Sequence, residues 1–325
     1  MRGADYVVKR SIFALVTVWV AVTLNFILFR LLPGSSVSGL RCQACTPQFK
    51  EALIKEYGLD KSKWQQYVTY LGNLLHGDLG YSQVNNIPVW DAIKEPILNT
   101  LPMVLVGTLI SVVLGVFCGI LAAWRRGTLT ADKLNTWTAL AFYAAPTQWL
   151  GLLVVFYVAA NLGLPVAGIR SPDLGILSTP STWEVVSDRA RHLILPALTL
   201  GIGLYGEYAI VVRSSMLETL GEDYVLTARA KGLANWQIIW KHGLRNAMLP
   251  LVTLLALSVG YIVAGAIVVE DVFSYPGIGL ATIDAIDHRD YAVLQGIFLV
   301  LTIAVIFSNF VADLLYFKLD PRVTT

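Results

Sequence analysis

Long stretches of this chain contain no charged residue, and the charges that do occur lie in the segments between those stretches. A helix needs about 20 mostly apolar residues to cross the hydrocarbon of a bilayer. Six segments reach that length, the fourth interrupted once by Glu207: 11–29, 101–124, 135–162, 193–212, 246–269 and 291–312. The pattern predicts an all-α integral membrane protein with six transmembrane helices.

Composition supports a membrane protein and excludes several other classes. Hydrophobic residues make up 56% of the 325 and charged residues only 14%, whereas average domains carry about 25% charged residues. The net charge of +2 is too small to indicate a nucleic-acid partner. The four histidines lie far apart in sequence, so we expect no metal centre, and no motif indicates a cofactor.

The basic residues predict how the helices are oriented. With a cytoplasmic N-terminus, the inner segments hold thirteen basic residues against seven acidic ones, and the outer segments lean acidic. Cytoplasmic loops carry the excess of Lys and Arg, so we predict a multi-pass protein of the cytoplasmic (inner) membrane with both termini in the cytoplasm. The alternative for the first span is a signal peptide, but its apolar core is long and no A-x-A-like cleavage site follows it.

The segment between the first two spans is too long for a simple connection. Residues 1–32 form the N-terminus and first helix, and residues 33–99 are predicted to be an extracytoplasmic cap with helical periodicity at 47–57 and 64–75. Cys42 and Cys45 fall in this outer segment, where oxidising conditions permit a structural disulfide. The alternative is a redox C-x-x-C site, which would require a thioredoxin-like βαβ setting that the sequence lacks.

Residues 100–318 form the predicted permease core of five helices, and 319–325 a cytoplasmic tail. Inside the core, residues 217–247 separate the fourth and fifth spans; we call them the connecting hairpin. The pattern predicts two short helices, at 223–233 and 236–245, with Pro250 opening the next span. Their apolar faces need a partner, which is either the lipid surface or another protein.

The connecting hairpin resembles the cytoplasmic "EAA" signature of binding-protein-dependent ABC importer permeases. The matching residues are Glu222-Asp-Tyr-Val-Leu-Thr-Ala-Arg-Ala-Lys-Gly232 and His242-x-x-Arg245-Asn-Ala-x-Leu-Pro250. Further blocks are similar to the B-type subunit of the peptide/nickel branch: Leu31-Leu-Pro-Gly34, Gly77-Asp-Leu-Gly-Tyr-Ser82, Arg191-His-Leu-Ile-Leu-Pro-Ala197, Arg213-Ser-Ser-Met-Leu-Glu218, Glu270-Asp-Val-Phe-x-Tyr-Pro-Gly-x-Gly279 and Leu319-Asp-Pro-Arg322. Many relatives carry a second Arg one turn before Arg213, where this chain has Ile210. The resemblance implies a type I importer permease that moves peptides, with nickel or oligosaccharides as alternative cargo.

The resemblance also implies partners and roles. The partners are a second homologous permease subunit, two cytoplasmic ATPase subunits, an extracytoplasmic substrate-binding protein and membrane lipid. Coupling to the ATPase falls to Glu222, Tyr224, Thr227, Ala228, Arg229, Ala230, Lys231, Gly232, His242 and Arg245. The small residues Ala228, Ala230 and Gly232 would allow close backbone approach to the ATPase, and Arg229 and Lys231 could pair with its acidic residues.

The chain itself is not expected to be an enzyme. It contains no G-x-x-x-x-G-K-[ST] phosphate loop and no G-x-S-x-G elbow, so ATP hydrolysis is assigned to the partner subunits. A channel that is not coupled to ATP is a weaker alternative, because it would not explain the connecting hairpin.

The resemblance places the translocation path between two permeases, along their second to fifth helices. Neutral polar candidates for its wall are Ser111, Tyr143, Gln148, Thr199, Tyr205 and Tyr261. Glu207 is a carboxylate within a span, close to its inner boundary; pairing with another helix or the second permease is the main interpretation, and substrate contact the alternative.

Overall fold

The computed structural model describes residues 3–31, 60–82, 84–126, 131–176 and 179–319. Cys42, Cys45 and the predicted helix at 47–57 lie outside the described residues. Within the described part, every regular element is helical, and strand pairing is limited to a single bridge between Tyr81 and Pro88. The prediction of an all-α fold is confirmed.

The main helices, in chain order, are α1 (Gly3–Leu31), α2 (Lys63–Leu75), α3 (Val89–Trp124), α4 (Ala131–Ala144), α5 (Thr147–Val154), α6 (Thr182–Leu220), α7 (Asp223–Ala230), α8 (Arg245–Val272), α9 (Ile278–Asp287) and α10 (Tyr291–Leu319). A π-helical stretch, Val155–Ala159, and a short turn, Ala160–Leu162, extend α5. In the described residues, α1, α3, α6 and α10 are each long and apolar enough to cross a membrane, and α4 with α5 could form a fifth crossing. The fifth predicted span is covered by α8.

The third predicted span, 135–162, is not the single helix that its apolar run indicates. The chain bends by 107° between α4 and α5. Pro146 is the N-cap of α5, and a proline has no N–H to continue the helix behind it and disfavours the α conformation of the residue before it. The broken span is therefore a local consequence of one proline that an apolarity criterion overlooks.

α6 lies at the centre of the bundle and packs against α3, α4, α5 and α8. Its contact with α3 is a seam of small residues four apart, all buried: Gly107, Ser111, Gly115 and Gly119. A Cβ at Gly115 would lie only 2.5 Å from the Cβ of Tyr208 in α6. Small residues at this spacing let two spanning helices approach backbone to backbone.

α1 and α10 run antiparallel, with the chain ends at the same end of the bundle. Arg10 forms an ion pair of 3.0 Å with Asp313, and the Asn25 amide donates to the Gln295 carbonyl at 3.4 Å. The amphipathic helix α2, expected from the periodicity at 64–75, packs on the other end of α1, where the ring of Phe26 lies 5.3 Å from that of Tyr67.

The second helix of the connecting hairpin does not end before the fifth span. Asn235–Gln237, the π-helical Ile238–Leu244 and α8 form one unbroken helical run. The prediction that Pro250 opens the span was wrong, because Pro250 lies inside α8. Prolines are tolerated in membrane helices where neighbouring helices and local π adjustments compensate for the lost hydrogen bond.

Candidate functional site

The two helical segments of the connecting hairpin pack against each other within this chain. Val225 and Ala228 of α7 and Ile238 of the π-helical stretch are buried together, with Leu220 and Leu233 packed against them. α7 is therefore held by apolar contacts against the run that continues into α8.

The turn after α7 is closed by a helix C-cap that requires glycine. The N–H of Leu233 donates to the carbonyl of Ala228 at 3.3 Å, and the N–H of Gly232 donates to that of Arg229 at 2.9 Å. This pair of bonds defines a Schellman motif, and Gly232 has the left-handed φ of +77° that the motif needs. A Cβ at Gly232 would meet no atom of this chain within 4 Å, so within the chain the demand for glycine is conformational.

The predicted coupling residues divide into two groups in the structure. Ala228 is only 4% exposed and serves the internal core of the hairpin, so it is not available for the close approach to a partner that its small size suggests. The rest of the set with described side chains are exposed: Glu222, Tyr224, Thr227, Arg229, Ala230, Lys231, Gly232 and Arg245. The side chain of His242 lies outside the described part. Three large apolar residues missed from sequence, Leu226, Trp236 and Trp240, are also exposed on the hairpin.

An ion pair joins two helices near the hairpin end of the bundle. The Arg213 Nε and an Nη donate to the two carboxylate oxygens of Asp132 at 2.9 and 3.1 Å. Such a two-point contact fixes orientation as well as distance. Arg213 belongs to one of the motif blocks, whereas its partner Asp132 belongs to none and was not singled out from the sequence.

At the opposite end of the bundle, the Glu270 carboxylate is fully buried and organises the start of α9. It accepts hydrogen bonds from the Thr100 hydroxyl at 2.5 Å and from the N–H groups of Gly279 and Leu280 at 2.6 and 3.1 Å. Thr100 in turn accepts from the N–H of Ile278 at 2.8 Å. These are the first N–H groups of α9, which lack partners within the helix and favour negative charge.

The block from Glu270 to Gly279 is therefore a structural junction with α3. A side chain on Gly277 would overlap the Glu270 carboxylate, and one on Gly279 would overlap the backbone of Ile267. Burial, and then the neighbouring Glu270 carboxylate, raises the pKa of Tyr275 to about 12. Its phenol stays protonated and donates to the Asn99 carbonyl at 3.2 Å.

The block from Gly77 to Ser82 also forms a structural junction, in this case with the start of α10. Gly77 and Gly80 both adopt positive φ, and the turn delivers the Ser82 hydroxyl to the carboxylate of Asp290 at 2.5 Å. Asp290 also accepts from the N–H of Val293 at 3.3 Å in the first turn of α10. Two blocks that the sequence marks only by resemblance thus meet α3 and α10 at one end of the bundle.

The candidates for the path wall do not share one environment. Ser111 and Thr199 are fully buried and Tyr205 is 8% exposed, all within the packing of α6 against its neighbours. They do not reach an open surface of the chain by itself, and their place along a path between two subunits stays a prediction. Tyr143 and Gln148, on either side of the bend between α4 and α5, are exposed. The side chain of Tyr261 lies outside the described part.

The chain thus combines spanning helices packed around α6 with a folded connecting hairpin between the fourth and fifth spans. Residues 4–104 and 111–325 match the N-terminal and main profiles of the binding-protein-dependent transport system inner membrane component. The chain belongs to this family.

Named relatives match almost the whole chain. It is 38% identical over 333 residues to the dipeptide transport system permease protein DppB of Escherichia coli (strain K12), covering 97% of this chain and 98% of the relative. It is 40% identical over 330 residues to the di/tripeptide permease DppB of Pseudomonas aeruginosa (strain UCBPP-PA14), with the same coverage. The oligopeptide permease AppB of Bacillus subtilis (strain 168) is 33% identical over 322 residues, covering 98% and 99%.

A solved structure shares the fold. The inward-facing MetNI methionine ABC transporter aligns with 70% of this chain and 96% of its own, with a TM-score of 0.55 and 18% identity. The fold is therefore that of a type I ABC importer permease.

Proposed function

We propose that this chain is the permease subunit of an ATP-driven importer that moves di- and oligopeptides delivered by an extracytoplasmic binding protein. The observation that carries the proposal is its 38–40% identity, over 97% of the chain, to permeases named for dipeptides and di/tripeptides. No finding favours nickel or oligosaccharides as the cargo.

The working complex contains a second, similar permease and two cytoplasmic ATPase subunits. The connecting hairpin faces the cytoplasm together with both chain termini. The accumulation of basic residues in the same segments supports this orientation, and the adjacent ends of α1 and α10 are compatible with it.

The exposed face of the connecting hairpin is the docking site for one ATPase subunit. Leu226, Trp236 and Trp240 would supply apolar contact, and Arg229 and Lys231 would pair with acidic residues. When ATP draws the two ATPase subunits together, α7 moves with the ATPase subunit on which it docks. The buried contact of Val225 and Ala228 with Ile238 passes that movement into the unbroken run ending in α8.

The translocation path lies between the two permeases. Of the neutral polar candidates, Tyr143 and Gln148 are retained for its wall because they are exposed beside the broken span. Selectivity would then be set mainly by the binding protein.

The test is reconstitution of the permease pair with its ATPase subunits in liposomes. Labelled Ala-Ala and the loaded binding protein are added on the side of the outer loops, with ATP on the other side. We expect uptake that requires both ATP and the binding protein. The proposal fails if peptides are not taken up while the same liposomes transport a nickel chelate or an oligosaccharide.

A further inference from the structure

Glu207 is a carboxylate inside the apolar segment of α6 that the coupling mechanism does not use. It precedes Arg213 by six residues, which is about 9 Å along a helix rising 1.5 Å per residue. The side chain is half-buried. An ionisable group at such a depth is costly, and it usually faces a water-filled cavity or a partner of opposite charge.

The part of the chain that the structure describes supplies no such partner. Arg213, the nearest cation along α6, is held by both oxygens of Asp132 at 2.9 and 3.1 Å. No described side chain forms a hydrogen bond or ion pair with Glu207. A cation that pairs with this carboxylate would therefore have to come from outside the described residues.

The broken third span lies directly beside this carboxylate. A Cβ on Gly206 would overlap the Ala139 carbonyl oxygen and lie 3.0 Å from the Cβ of Tyr143, both in α4. A Cβ on Gly203 would lie 3.6 Å from Leu150, in α5. Residues four apart share a helix face, so Glu207 lies one turn beyond the place where α6 meets α5.

The groups gathered at this point can all accept hydrogen bonds, although the phenol and the amide can also donate. The 107° bend ends α4 within the bundle, and the last carbonyl groups of a helix have no donor within it. The phenol of Tyr143 and the amide of Gln148 flank the bend and are exposed. A carboxylate beside carbonyl groups at a broken membrane helix is suited to a cation.

We propose that Glu207 and the broken α4–α5 span form a site on the translocation path that binds the positively charged side chain of a basic peptide. This inference rests on the proposed function, since it assumes peptide cargo. The competing role, an ion pair with the second permease, is an outcome of the test.

The test uses the complete transporter in liposomes and three peptides of different charge: Ala-Lys, Ala-Ala and Ala-Glu. Uptake by Glu207→Gln is divided by wild-type uptake for each peptide, so that delivery by the binding protein cancels. We expect about a tenfold loss for Ala-Lys, in keeping with a lost hydrogen bond to a charged group. The loss should be smaller for Ala-Ala and least for Ala-Glu, in which the carboxylates already repel Glu207.

Two further variants sharpen the result. Glu95→Gln makes the same change at an exposed position of α3 outside the apolar segment, and it should transport all three peptides like the wild type. Glu207→Asp keeps the charge and should keep the wild-type ranking even if total uptake falls.

Three results would overturn the inference: equal loss for all peptides, unaltered uptake, or loss of the second permease from purified Glu207→Gln complex, which would place Glu207 at the subunit interface. All three leave the peptide function standing. If the wild-type complex transports none of the peptides, the proposed function fails and the inference fails with it.

Discussion

The Thr100 hydroxyl donates to the buried Glu270 carboxylate at 2.5 Å, joining α3 to the end of α8 across 170 positions of sequence. Because Glu270 also accepts two N–H groups of α9, this one carboxylate connects three helices. The junction explains why Glu270, Gly277 and Gly279 occur as a block: the carboxylate needs N–H donors, and the glycines leave room for it.

Removing the carboxylate should destabilise the bundle more than removing its hydroxyl partner. Glu270→Ala leaves three buried donors without an acceptor, whereas Thr100→Val chiefly strands the N–H of Ile278, at about 1–3 kcal/mol for each unsatisfied group. We expect the thermal unfolding midpoint of the purified permease to fall in that order. Asp271→Ala, at an exposed neighbour, is the control, and an equal midpoint for all three variants would contradict the junction.

The seam between α3 and α6 should not tolerate one added methyl group. In Gly115→Ala the new Cβ would lie 2.5 Å from the Cβ of Tyr208 and 3.0 Å from the Tyr205 carbonyl oxygen, so the two backbones must separate. Gly72→Ala in α2 meets no atom within 4 Å and should be neutral or slightly stabilising. Yield of monodisperse protein and unfolding midpoint measure both, and matching behaviour would refute close packing.

Variants at Gly232 distinguish two reasons for a glycine at the proposed ATPase contact: its backbone conformation and its small size. Gly232→Val places a β-branched residue at φ +77°, where even an ordinary side chain costs about 1–2 kcal/mol, and should abolish ATP hydrolysis stimulated by the loaded binding protein. Gly232→Asn should retain most of it, since Asn accepts this conformation.

If both Gly232 variants lose stimulation while the ATPase subunits stay bound, contact space rather than φ is the reason glycine is needed. If Gly232→Val keeps full stimulation, the connecting hairpin is not the coupling element.

The ion pair between Arg213 and Asp132 should show coupling in a double-mutant cycle. Each single change, Arg213→Gln or Asp132→Asn, removes one member of a partly buried ion pair. The double variant should be more stable than the sum of the singles implies, by roughly 0.5–3 kcal/mol. Denaturant or thermal unfolding of the four proteins measures the difference. Strict additivity would show that the pair contributes nothing beyond two independent side chains.

Several features of the site could be anticipated from sequence and others could not. The hairpin and its αL glycine follow from local signals, Gly232 after a short helical pattern. The burial of Ala228 in the core of the hairpin could not be anticipated, because its small size is equally compatible with a partner contact. Asp132 and Thr100 carry no local signal at all, since their partners lie 81 and 170 positions away. The bend could have been anticipated from Pro146 itself, but the criterion of an uninterrupted apolar run took no account of proline.

The sequence by itself determined the membrane class, the six apolar segments and the amphipathic helix near 64–75, because bilayer thickness and helical periodicity act on neighbouring residues. Which face of each segment is buried was decided only by the tertiary structure. The spans are apolar nearly all round, so hydrophobicity cannot distinguish lipid from helix as a neighbour. The face of α3 that packs on α6 is set by close backbone approach at four small residues, Gly107, Ser111, Gly115 and Gly119. This packing buries Ser111, whereas Tyr143 and Gln148 stay exposed beside the bend.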